Sequence, residues 1–441
     1  MANHISIRHK INSFDKKIKV SADKSISIRS VLLASQAVGT SKISNLLESE
    51  DVLNSLKVIK KLGVDYTKRK NTYYIKGFGL NSFKIKKKTI LNAGNSGTLA
   101  RLILGLLVKS KSQVKLIGDK SLSKRDFSRV IKPLKLFGAN INSKKNRLPV
   151  EILGTEFLRP IYYEEKIGSA QIKTACCFAA LNAPGTTNIL ARKSRDHTEL
   201  LFKYLKIPIK VKSNKQFDSI KVKGLQQYKA FDYKIPGDIS SSAFFIALTL
   251  LAKNSEITIL NVNVNKTRIG FIKILKMMKS KIKFKNIRFY KGEKIADIFV
   301  KSSNKLKSIN CPVKMNSRSI DEFLIIFLIC SVANGISKFR KIDELRSKET
   351  DRLKFASNFL KKIGIKTKVN KNAFKIYGNP NIKLNNTYEI KNFDKDHRAC
   401  MMSIIAALTL GGKWIIHDTD SIKTSFPNFL KILKNLGAKI N

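Results

Sequence analysis

The sequence predicts an α+β fold built from six repeated units. Two groups of three units each would form two similar domains. Two observations lead to this prediction. A stretch with helical apolar periodicity ends in an apolar residue and glycine, and an alternating, strand-like stretch follows it. This junction recurs at intervals of about 70–85 residues, and the 441 residues of the chain leave room for six copies and for two or more domains.

The repeated junction occurs in a strong form with glycine and in a weaker form without it. The strong copies are Leu62-Gly63, Phe137-Gly138, Ile363-Gly364 and Leu436-Gly437, and the weaker ones are Leu205-Lys206 and Met278 to Ile282. Glycine often follows the last helical turn because it accepts the left-handed conformation. One such junction is an ordinary helix end, but six at a near-constant interval indicate a repeated α/β unit.

Two extended segments are the expected crossings between the domains. Pro and Gly interrupt Tyr233–Asp238 before a serine-rich helix start, and the other crossing is expected near Val20–Lys24. This predicts one domain at 23–237 and a second formed by 1–22 plus 238–441. Small-molecule sites often form where domains meet, so we expect the active site in the interdomain cleft.

Composition indicates a globular, cytoplasmic protein. Hydrophobic residues make up 43% of the chain, and the longest apolar run, Phe323–Ala333, is shorter than the ~20 residues of a membrane span. The first residues, MANHISIRHK, lack the apolar core of a secretory signal. The cysteines have no metal-ligand spacing and are expected to be buried free thiols: Cys176, Cys177, Cys311, Cys330 and Cys400.

The net charge of +55 allows two interpretations. A nucleic-acid-binding protein gathers Lys and Arg on one face, whereas a general preference for lysine distributes them over the whole surface. The lysines here are dispersed, and the densest run, Lys86 to Lys88, is short. The second interpretation is therefore favoured, and the excess charge would still attract small polyanions.

Short polar clusters stand at the starts of the predicted helices. Between Ser21 and Ser242 they are Ser21–Arg29, Asn92–Thr98 followed by Arg101, Gly118–Arg125, Gly168–Gln171 with Lys173 one turn into the helix, Ser194–Glu199 and Pro236–Ser242. Each cluster alone is explained by an ordinary helix cap. Together they bring cations and helix N-termini to many points, which suits a substrate with several phosphates or carboxylates.

The C-terminal half adds candidate acid–base groups. Asp321 opens an apolar helix, and Asp396–Arg398 precedes another. Six of the nine residues in Glu344–Arg352 are charged, with both signs mixed. Such a segment can be a solvated, salt-bridged helix face, or it can place an acid, a base and cations in a substrate site.

With these motifs assembled, the chain resembles the 5-enolpyruvylshikimate-3-phosphate (EPSP) synthase family from about Lys24 to its C-terminus. The motifs that carry the resemblance are DKSISIRS, LNAGNSGT, SAQIK, SRDHTE, PGDISS, the Asp321 segment, ELRSKETDR, DHR and SFP. The resemblance implies two domains of three βαβαββ-type units each, joined by a double-strand crossover. It also implies transfer of the enolpyruvyl group of phosphoenolpyruvate to the 5-hydroxyl of shikimate 3-phosphate. No metal or organic cofactor, no nucleic acid and no membrane is implied, and we expect a monomer.

The resemblance also assigns roles to individual residues. Shikimate 3-phosphate is expected to contact Lys24, Ser25, Arg29, Ser169, Ala170, Gln171, Arg195, Asp321 and Lys348. Phosphoenolpyruvate is expected to contact Lys24, Gly97, Arg125, Gln171, Arg352 and Arg398. Asp321 resembles the base for the 5-hydroxyl, and Glu349 resembles the group that moves protons at the methylene carbon, with Lys24 assisting.

Two alternatives remain, one with the same fold and one from a different class of function. The UDP-N-acetylglucosamine enolpyruvyl transferases share the fold, but that family usually carries a catalytic Cys, sometimes Asp, in a mobile loop. No Cys lies near Gly118–Arg125 here, and Asp126 is a poor substitute. A basic nucleic-acid-binding protein is supported by the charge alone, and salt-sensitive binding to duplex or RNA would favour it.

Overall fold

The structure is a computed structural model, and it describes residues 4–303, 305–391 and 393–441. The first three residues of the MANHISIRHK segment lie outside the described residues. Contacts between Cα atoms divide the chain into two compact units. Unit 1 comprises the described residues of Met1–Ser21, Gly237–Phe289 and Lys294–Asn441, and unit 2 comprises Ala22–Pro236 and Tyr290–Glu293.

Strands and helices alternate along the whole chain. The strands are β1 (Ile5–Ile7), β2 (Asp15–Ile18), β3 (Val38–Ser44), β4 (Tyr66–Arg69), β5 (Thr72–Phe78), β6 (Thr89–Asn92), β7 (Val114–Ile117), β8 (Asn140–Ser143), β9 (Val150–Leu153), β10 (Tyr162–Glu165), β11 (Thr186–Arg192), β12 (Ile209–Ser213), β13 (Phe217–Lys223), β14 (Asp232–Lys234), β15 (Glu256–Asn263), β16 (Lys281–Tyr290), β17 (Glu293–Lys301), β18 (Gly335–Arg340), β19 (Thr367–Val369), β20 (Ala373–Gly378), β21 (Leu384–Ile390) and β22 (Gly411–Ile416). The α-helices are α1 (Lys24–Ala34), α2 (Glu50–Lys61), α3 (Gly97–Leu106), α4 (Lys120–Ser123), α5 (Ser128–Leu136), α6 (Ala170–Ala180), α7 (His197–Tyr204), α8 (Ile239–Leu251), α9 (Gly270–Met277), α10 (Asn316–Ser319), α11 (Phe323–Ser331), α12 (Arg352–Lys362), α13 (His397–Leu410) and α14 (Phe429–Asn435).

The strands form one small sheet for each repeat. In unit 2 the strand orders are β14-β3-β5-β4, β6-β7-β9-β8 and β10-β11-β13-β12. In unit 1 they are β16-β17-β15-β2, β18-β20-β19 and β1-β22-β21. Apart from the short α4, the order β6-α3-β7-α5-β8-β9 is a complete βαβαββ repeat. In it β6 and β7 are parallel, and β9 runs antiparallel to both β7 and β8.

The first sheets of the two units each take a strand from a distant part of the chain. Strand β14 pairs in parallel with β3, and β2 pairs in parallel with β15. The chain therefore passes between the units after Ser21 and after Pro236, and the short segment Tyr290–Glu293 also belongs to unit 2. Strand β1 likewise completes the last sheet by pairing antiparallel with β22.

All six repeat junctions contain a residue in the left-handed conformation. The four glycines have φ values of +84° at Gly63, +107° at Gly138, +81° at Gly364 and +94° at Gly437. At the two junctions without glycine, Lys206 and Lys279 adopt φ values of 56° and 67°. The helix ends therefore share one geometry whether or not glycine is present, which explains why the weaker copies were recognisable in the sequence.

Each unit has its own hydrophobic core around a set of central helices. Helices α8, α11 and α13 contact one another in unit 1, and α3 contacts both α1 and α6 in unit 2. Every residue of α11 is buried, as are all residues of α13. A helix that is buried on every face is enclosed by protein, so α11 and α13 lie within the core of unit 1.

The cysteine prediction is confirmed, since all five cysteines are free and buried. In the described part of the chain, no helix combines the length and the apolar composition that crossing a membrane requires. The predicted α+β fold of repeated units is confirmed.

We expect Lys206→Gly to stabilise the protein, because a non-glycine residue in the left-handed region costs about 1–2 kcal/mol. Glycine also loses more conformational entropy on folding, which offsets part of this gain. The free energy of unfolding should therefore rise by about 1 kcal/mol. Lys203→Gly is the matched control, because Lys203 is an equally exposed lysine inside α7, where glycine costs about 1 kcal/mol. Denaturant unfolding measures both, and a shift of the two variants in the same direction would contradict the expectation.

Candidate active site

The start of α1 presents a lysine and a serine. Asp23 precedes the helix, and its Oδ1 accepts a hydrogen bond from the backbone N–H of Ile26 at 2.9 Å. The Nζ of Lys24 lies 2.9 Å from Oδ2 of Asp51, and both Lys24 and Ser25 are half-buried. The cap fixes the direction of the first turn, so a cation and a hydroxyl stand beside the free N–H groups of the helix.

Arg29, one turn further along α1, is buried inside unit 2. Its Nε donates to Oγ1 of Thr198 at 2.9 Å, and its Nη2 donates to Oγ1 of Thr174 at 3.0 Å. Its Nη1 donates to the carbonyl of Ser25 at 3.1 Å. Arg29 thus joins three helices. Its predicted contact with a substrate stays a prediction.

The start of α3 lies between two guanidinium groups. A Cβ atom placed on Gly97 would lie 3.0 Å from Nη1 of Arg101 and 3.1 Å from Nη1 of Arg125. Arg125 is oriented by Asn95, whose Oδ1 accepts from Nη2 at 2.8 Å. Asn95 in turn donates to Oδ2 of Asp119 at 2.7 Å. The absence of a side chain on Gly97 lets both cations approach the helix N-terminus, which is an arrangement suited to a phosphate.

Gln171 connects the start of α6 to the start of α3. Its Oε1 accepts from Nη1 of Arg101 at 2.8 Å, and its Nε2 donates to Oγ1 of Thr98 at 3.1 Å. Ser169 caps α6, and Ala170 is its first residue. The structure therefore brings Gly97, Arg125 and Gln171 together. Arg101 links them, although no role was assigned to it from the sequence.

Two cations near the starts of α6 and α7 differ in exposure. Arg195 is half-exposed beside the N-cap residue Asp196. Lys173, which we counted among the cations available to a ligand, is fully buried and pairs with Glu199. That interpretation of Lys173 was wrong, because a lysine on the inner face of α6 faces the core.

In unit 1, Arg352 lies at the centre of a group of carboxylates. Its Nε is 2.8 Å from Oδ2 of Asp396, and its Nη2 is 3.1 Å from Oδ1 of the same residue. Nη2 also lies 2.7 Å from Oε2 of Glu349, and Nη1 lies 3.8 Å from Oδ1 of Asp321. Burial alone would lower the pKa of Arg352, but Asp396 and Glu349 raise it above its usual value. The guanidinium is therefore permanently charged.

The carboxylates around Arg352 are not equivalent. Asp396 is fully buried and also accepts hydrogen bonds from the backbone N–H groups of Arg398 and Ala399, at the start of α13. The side chains of Asp321 and Glu349 are 19% and 17% exposed. Asp396 thus anchors the arginine, whereas the other two can meet a ligand.

The remaining charges of Glu344–Arg352 form local pairs. Lys348 lies 3.3 Å from Glu344, and Arg346 lies 2.8 Å from Asp351. Asp351 also caps α12 through the N–H of Lys354. The interpretation of a salt-bridged segment is thus confirmed for these residues, and the substrate roles of Lys348, Glu349 and Arg352 stay predictions. The structure places Lys348 in a pair with Glu344 and does not place it in the Arg352 group.

Comparison with known proteins shows the family of the chain. The family model described as EPSP synthase (3-phosphoshikimate 1-carboxyvinyltransferase) matches residues 9–433. The 3-phosphoshikimate 1-carboxyvinyltransferase of Ruthia magnifica subsp. Calyptogena magnifica is 41% identical over 431 residues, which cover 98% of this chain and 97% of that protein.

Solved structures show the same fold. The EPSP synthase of Acinetobacter baumannii has a TM-score of 0.87 and 33% identity, and 99% of each chain is covered. The enolpyruvyl transferase NikO of Streptomyces tendae has a TM-score of 0.77 at 14% identity, with 100% of this chain and 99% of that chain covered, which supports the fold alone. The resemblance stated from the sequence is confirmed: this chain belongs to the EPSP synthase (3-phosphoshikimate 1-carboxyvinyltransferase) family.

Proposed function

We propose that this chain transfers the enolpyruvyl group of phosphoenolpyruvate to the 5-hydroxyl of shikimate 3-phosphate, giving 5-enolpyruvylshikimate 3-phosphate and phosphate. This reaction belongs to the shikimate pathway, which leads to chorismate and the aromatic amino acids. Family membership over residues 9–433 and the charged groups described above support the proposal.

The orientation of Arg352 is the observation that carries the proposal. Asp396 holds Nε and Nη2, and Nη1 makes no hydrogen bond among the described residues. A carboxylate bound at Nη1 would lie beside both Asp321 and Glu349. One guanidinium could thus orient the carboxylate of phosphoenolpyruvate while two partly exposed carboxylates stand ready for proton transfer.

The groups of unit 2 suit the anionic parts of the substrates. We assign Lys24, Ser25, Arg29, Arg195 and the Ser169–Gln171 segment to shikimate 3-phosphate. Gly97, Arg125 and Gln171 are assigned to phosphoenolpyruvate, together with Lys24. Helix N-termini and arginines are favourable for phosphate because N–H dipoles and charge act together.

The remaining assignments belong to unit 1. Asp321 and Lys348 contact shikimate 3-phosphate, and Arg352 and Arg398 clamp the carboxylate of phosphoenolpyruvate. We propose that units 1 and 2 are the two domains expected from the sequence. Their residues serve a single active site, from which domain closure excludes water.

The chemistry proceeds by addition and elimination. Glu349 protonates the methylene carbon of phosphoenolpyruvate, and Asp321 takes the proton of the 5-hydroxyl as its oxygen bonds to the neighbouring carbon. A tetrahedral intermediate results. Loss of a methyl proton and cleavage of the carbon–oxygen bond to phosphate then form the enol ether. Lys24 and Arg125 stabilise the charge that builds on the departing phosphate.

We further propose a cytoplasmic monomer that uses neither metal nor organic cofactor and has no nucleic-acid partner. The absence of a cofactor is supported by the chemistry, since the reaction exchanges one carbon–oxygen bond for another and moves only protons. The dispersed lysines support the absence of a nucleic-acid partner. Turnover should be unchanged by a chelator. In analytical ultracentrifugation the protein should sediment with the mass of a single chain.

The decisive assay combines the purified protein with shikimate 3-phosphate and phosphoenolpyruvate and follows phosphate release. We expect steady-state turnover with this pair of substrates. Turnover with UDP-N-acetylglucosamine in place of shikimate 3-phosphate would overturn the proposal in favour of the other transferase. Nucleic-acid binding stronger than substrate binding would favour a basic nucleic-acid-binding protein.

Glu349→Gln should reduce kcat by about 10²–10⁴-fold, which is the usual contribution of a positioned acid or base, and should leave both KM values nearly unchanged. The amide keeps the shape of the side chain but cannot transfer a proton. Asp343→Asn is the matched control, since Asp343 is an exposed carboxylate of the same region. The kcat of this control variant should equal that of the native protein. An equal loss of turnover and of substrate affinity in Glu349→Gln would indicate a positioning role instead.

Arg352→Lys should raise KM for phosphoenolpyruvate by about tenfold, equivalent to ~1.4 kcal/mol, with little effect on KM for shikimate 3-phosphate. Lysine keeps the charge beside Asp396 but loses the planar, multiple-donor geometry. Arg346→Lys, in the same segment and partly exposed, is the control and should leave both KM values native. An unchanged KM for phosphoenolpyruvate in Arg352→Lys would exclude the clamp role.

A further inference from the structure

Unit 2 contains an ion pair that lies entirely inside the protein. The Nζ of Lys173 lies 2.6 Å from Oε1 of Glu199, and the two side chains are 0% and 4% exposed. Burial alone would lower the pKa of Lys173, but the charge of Glu199 raises it, so the lysine stays protonated. Apolar residues of similar volume at such a place are often as stable as the charges or more so. Stability alone therefore does not account for the pair.

The ion pair joins the first turns of two helices. Lys173 is the fourth residue of α6 (Ala170–Ala180), and Glu199 is the third residue of α7 (His197–Tyr204). Just ahead of these residues stand Ser169 and Gln171 on one side and Arg195 on the other. The proposed contacts with shikimate 3-phosphate thus begin within one helical turn of the pair.

Neighbouring residues extend the connection to a third helix. Thr174 follows Lys173, Thr198 precedes Glu199, and the two threonine hydroxyls lie 2.7 Å apart. Both hydroxyls also accept hydrogen bonds from Arg29 of α1, at 3.0 and 2.9 Å. One buried network therefore fixes the first turns of α1, α6 and α7 relative to one another.

The loop before α6 is held by a second buried carboxylate. Glu165 is buried, and its two oxygens accept the backbone N–H groups of Ile167 and Gly168 at 2.9 and 2.7 Å. Burial raises the pKa of Glu165, and the backbone hydrogen bonds and Lys173 oppose that rise. Lys173 thus faces carboxylates that fix the approach to Ser169 as well as the start of α7.

We propose that Lys173 and Glu199 are positioning residues, whose ion pair sets the spacing between the starts of α6 and α7. This inference rests on the proposed binding roles of Ser169, Gln171 and Arg195. A charge pair has a preferred distance and direction, whereas an apolar contact lets two helices shift against each other. A shift of about 1 Å at a binding group can reduce activity by about 100-fold, so the spacing matters for the phosphate and the ring of the substrate.

The test removes both charges together. A single substitution would leave an uncompensated buried charge and endanger folding, so the variant is Lys173→Met with Glu199→Leu. We expect it to fold and to unfold at a temperature close to the native one. Its Kd for shikimate 3-phosphate, measured by titration calorimetry, should rise at least about tenfold. KM for that substrate should rise by a similar factor. KM for phosphoenolpyruvate at saturating shikimate 3-phosphate should change much less.

Two controls accompany this variant. Lys111→Met with Glu156→Leu makes the same changes in an exposed pair of unit 2, with a separation of 3.4 Å and exposures of 84% and 66%, and should bind natively. Lys173→Arg with Glu199→Asp keeps both charges and nearly the same combined length. This variant should keep most of the native affinity for shikimate 3-phosphate. A role of the pair in filling space alone would not explain that result.

Three outcomes would overturn the proposal. In the first, the apolar double variant folds and binds shikimate 3-phosphate within twofold of the native protein. In the second, KM rises equally for both substrates, which indicates a general disturbance. In the third, the apolar variant fails to fold while the charge-conserving variant is native, which assigns the pair to stability. If the native protein binds shikimate 3-phosphate without turnover, the proposed reaction fails but the inference survives.

Discussion

The central helices of the two units are buried along almost their whole length, and this constraint determines where polar groups can stand. A helix such as α11 has no surface that can face water along its length, so its sides must be covered by other helices and by the sheets. Its unpaired N–H groups, however, need polar partners at the start. Capping residues, cations and carboxylates therefore collect at the starts of α1, α3, α6, α11 and α13. Polar groups at the helix N-termini of each unit therefore follow from the way its core is built.

Three of the largest fully buried side chains are cationic, namely Arg29, Arg352 and Lys173. The surplus of lysine that gives the chain its charge of +55 is dispersed along the sequence, but these three have defined partners. Arg352 is held by Asp396, Lys173 by Glu199 and Arg29 by two threonine hydroxyls. Buried charges tolerate little displacement because losing a partner is costly. Rigid charges at the helix starts are the preorganisation that electrostatic catalysis requires.

The sequence predicted the family, the α+β fold of repeats and the helix starts, because these depend on local signals. A capping residue lies within three positions of the backbone N–H group from which it accepts a hydrogen bond, as Asp23 and Asp396 do. The pairs inside the site could not be predicted in the same way. Arg352 and Asp396 are 44 residues apart, and no pattern near either residue indicates the other. The wrong interpretation of Lys173 has the same origin, since only the packing of α6 decides that this lysine faces inward.

The order of the strands along the chain has a consequence for synthesis. Almost all of unit 2 is one continuous stretch, Ala22–Pro236, so it can fold as soon as that stretch has left the ribosome. Strands β1 and β2 are made earlier, but β1 pairs with β22, about 400 residues later. Until then β1 has unpaired backbone groups, the condition that favours wrong strand pairing between chains. Strand β1 has only three residues. So short a strand limits wrong pairing while the rest of unit 1 is being synthesised.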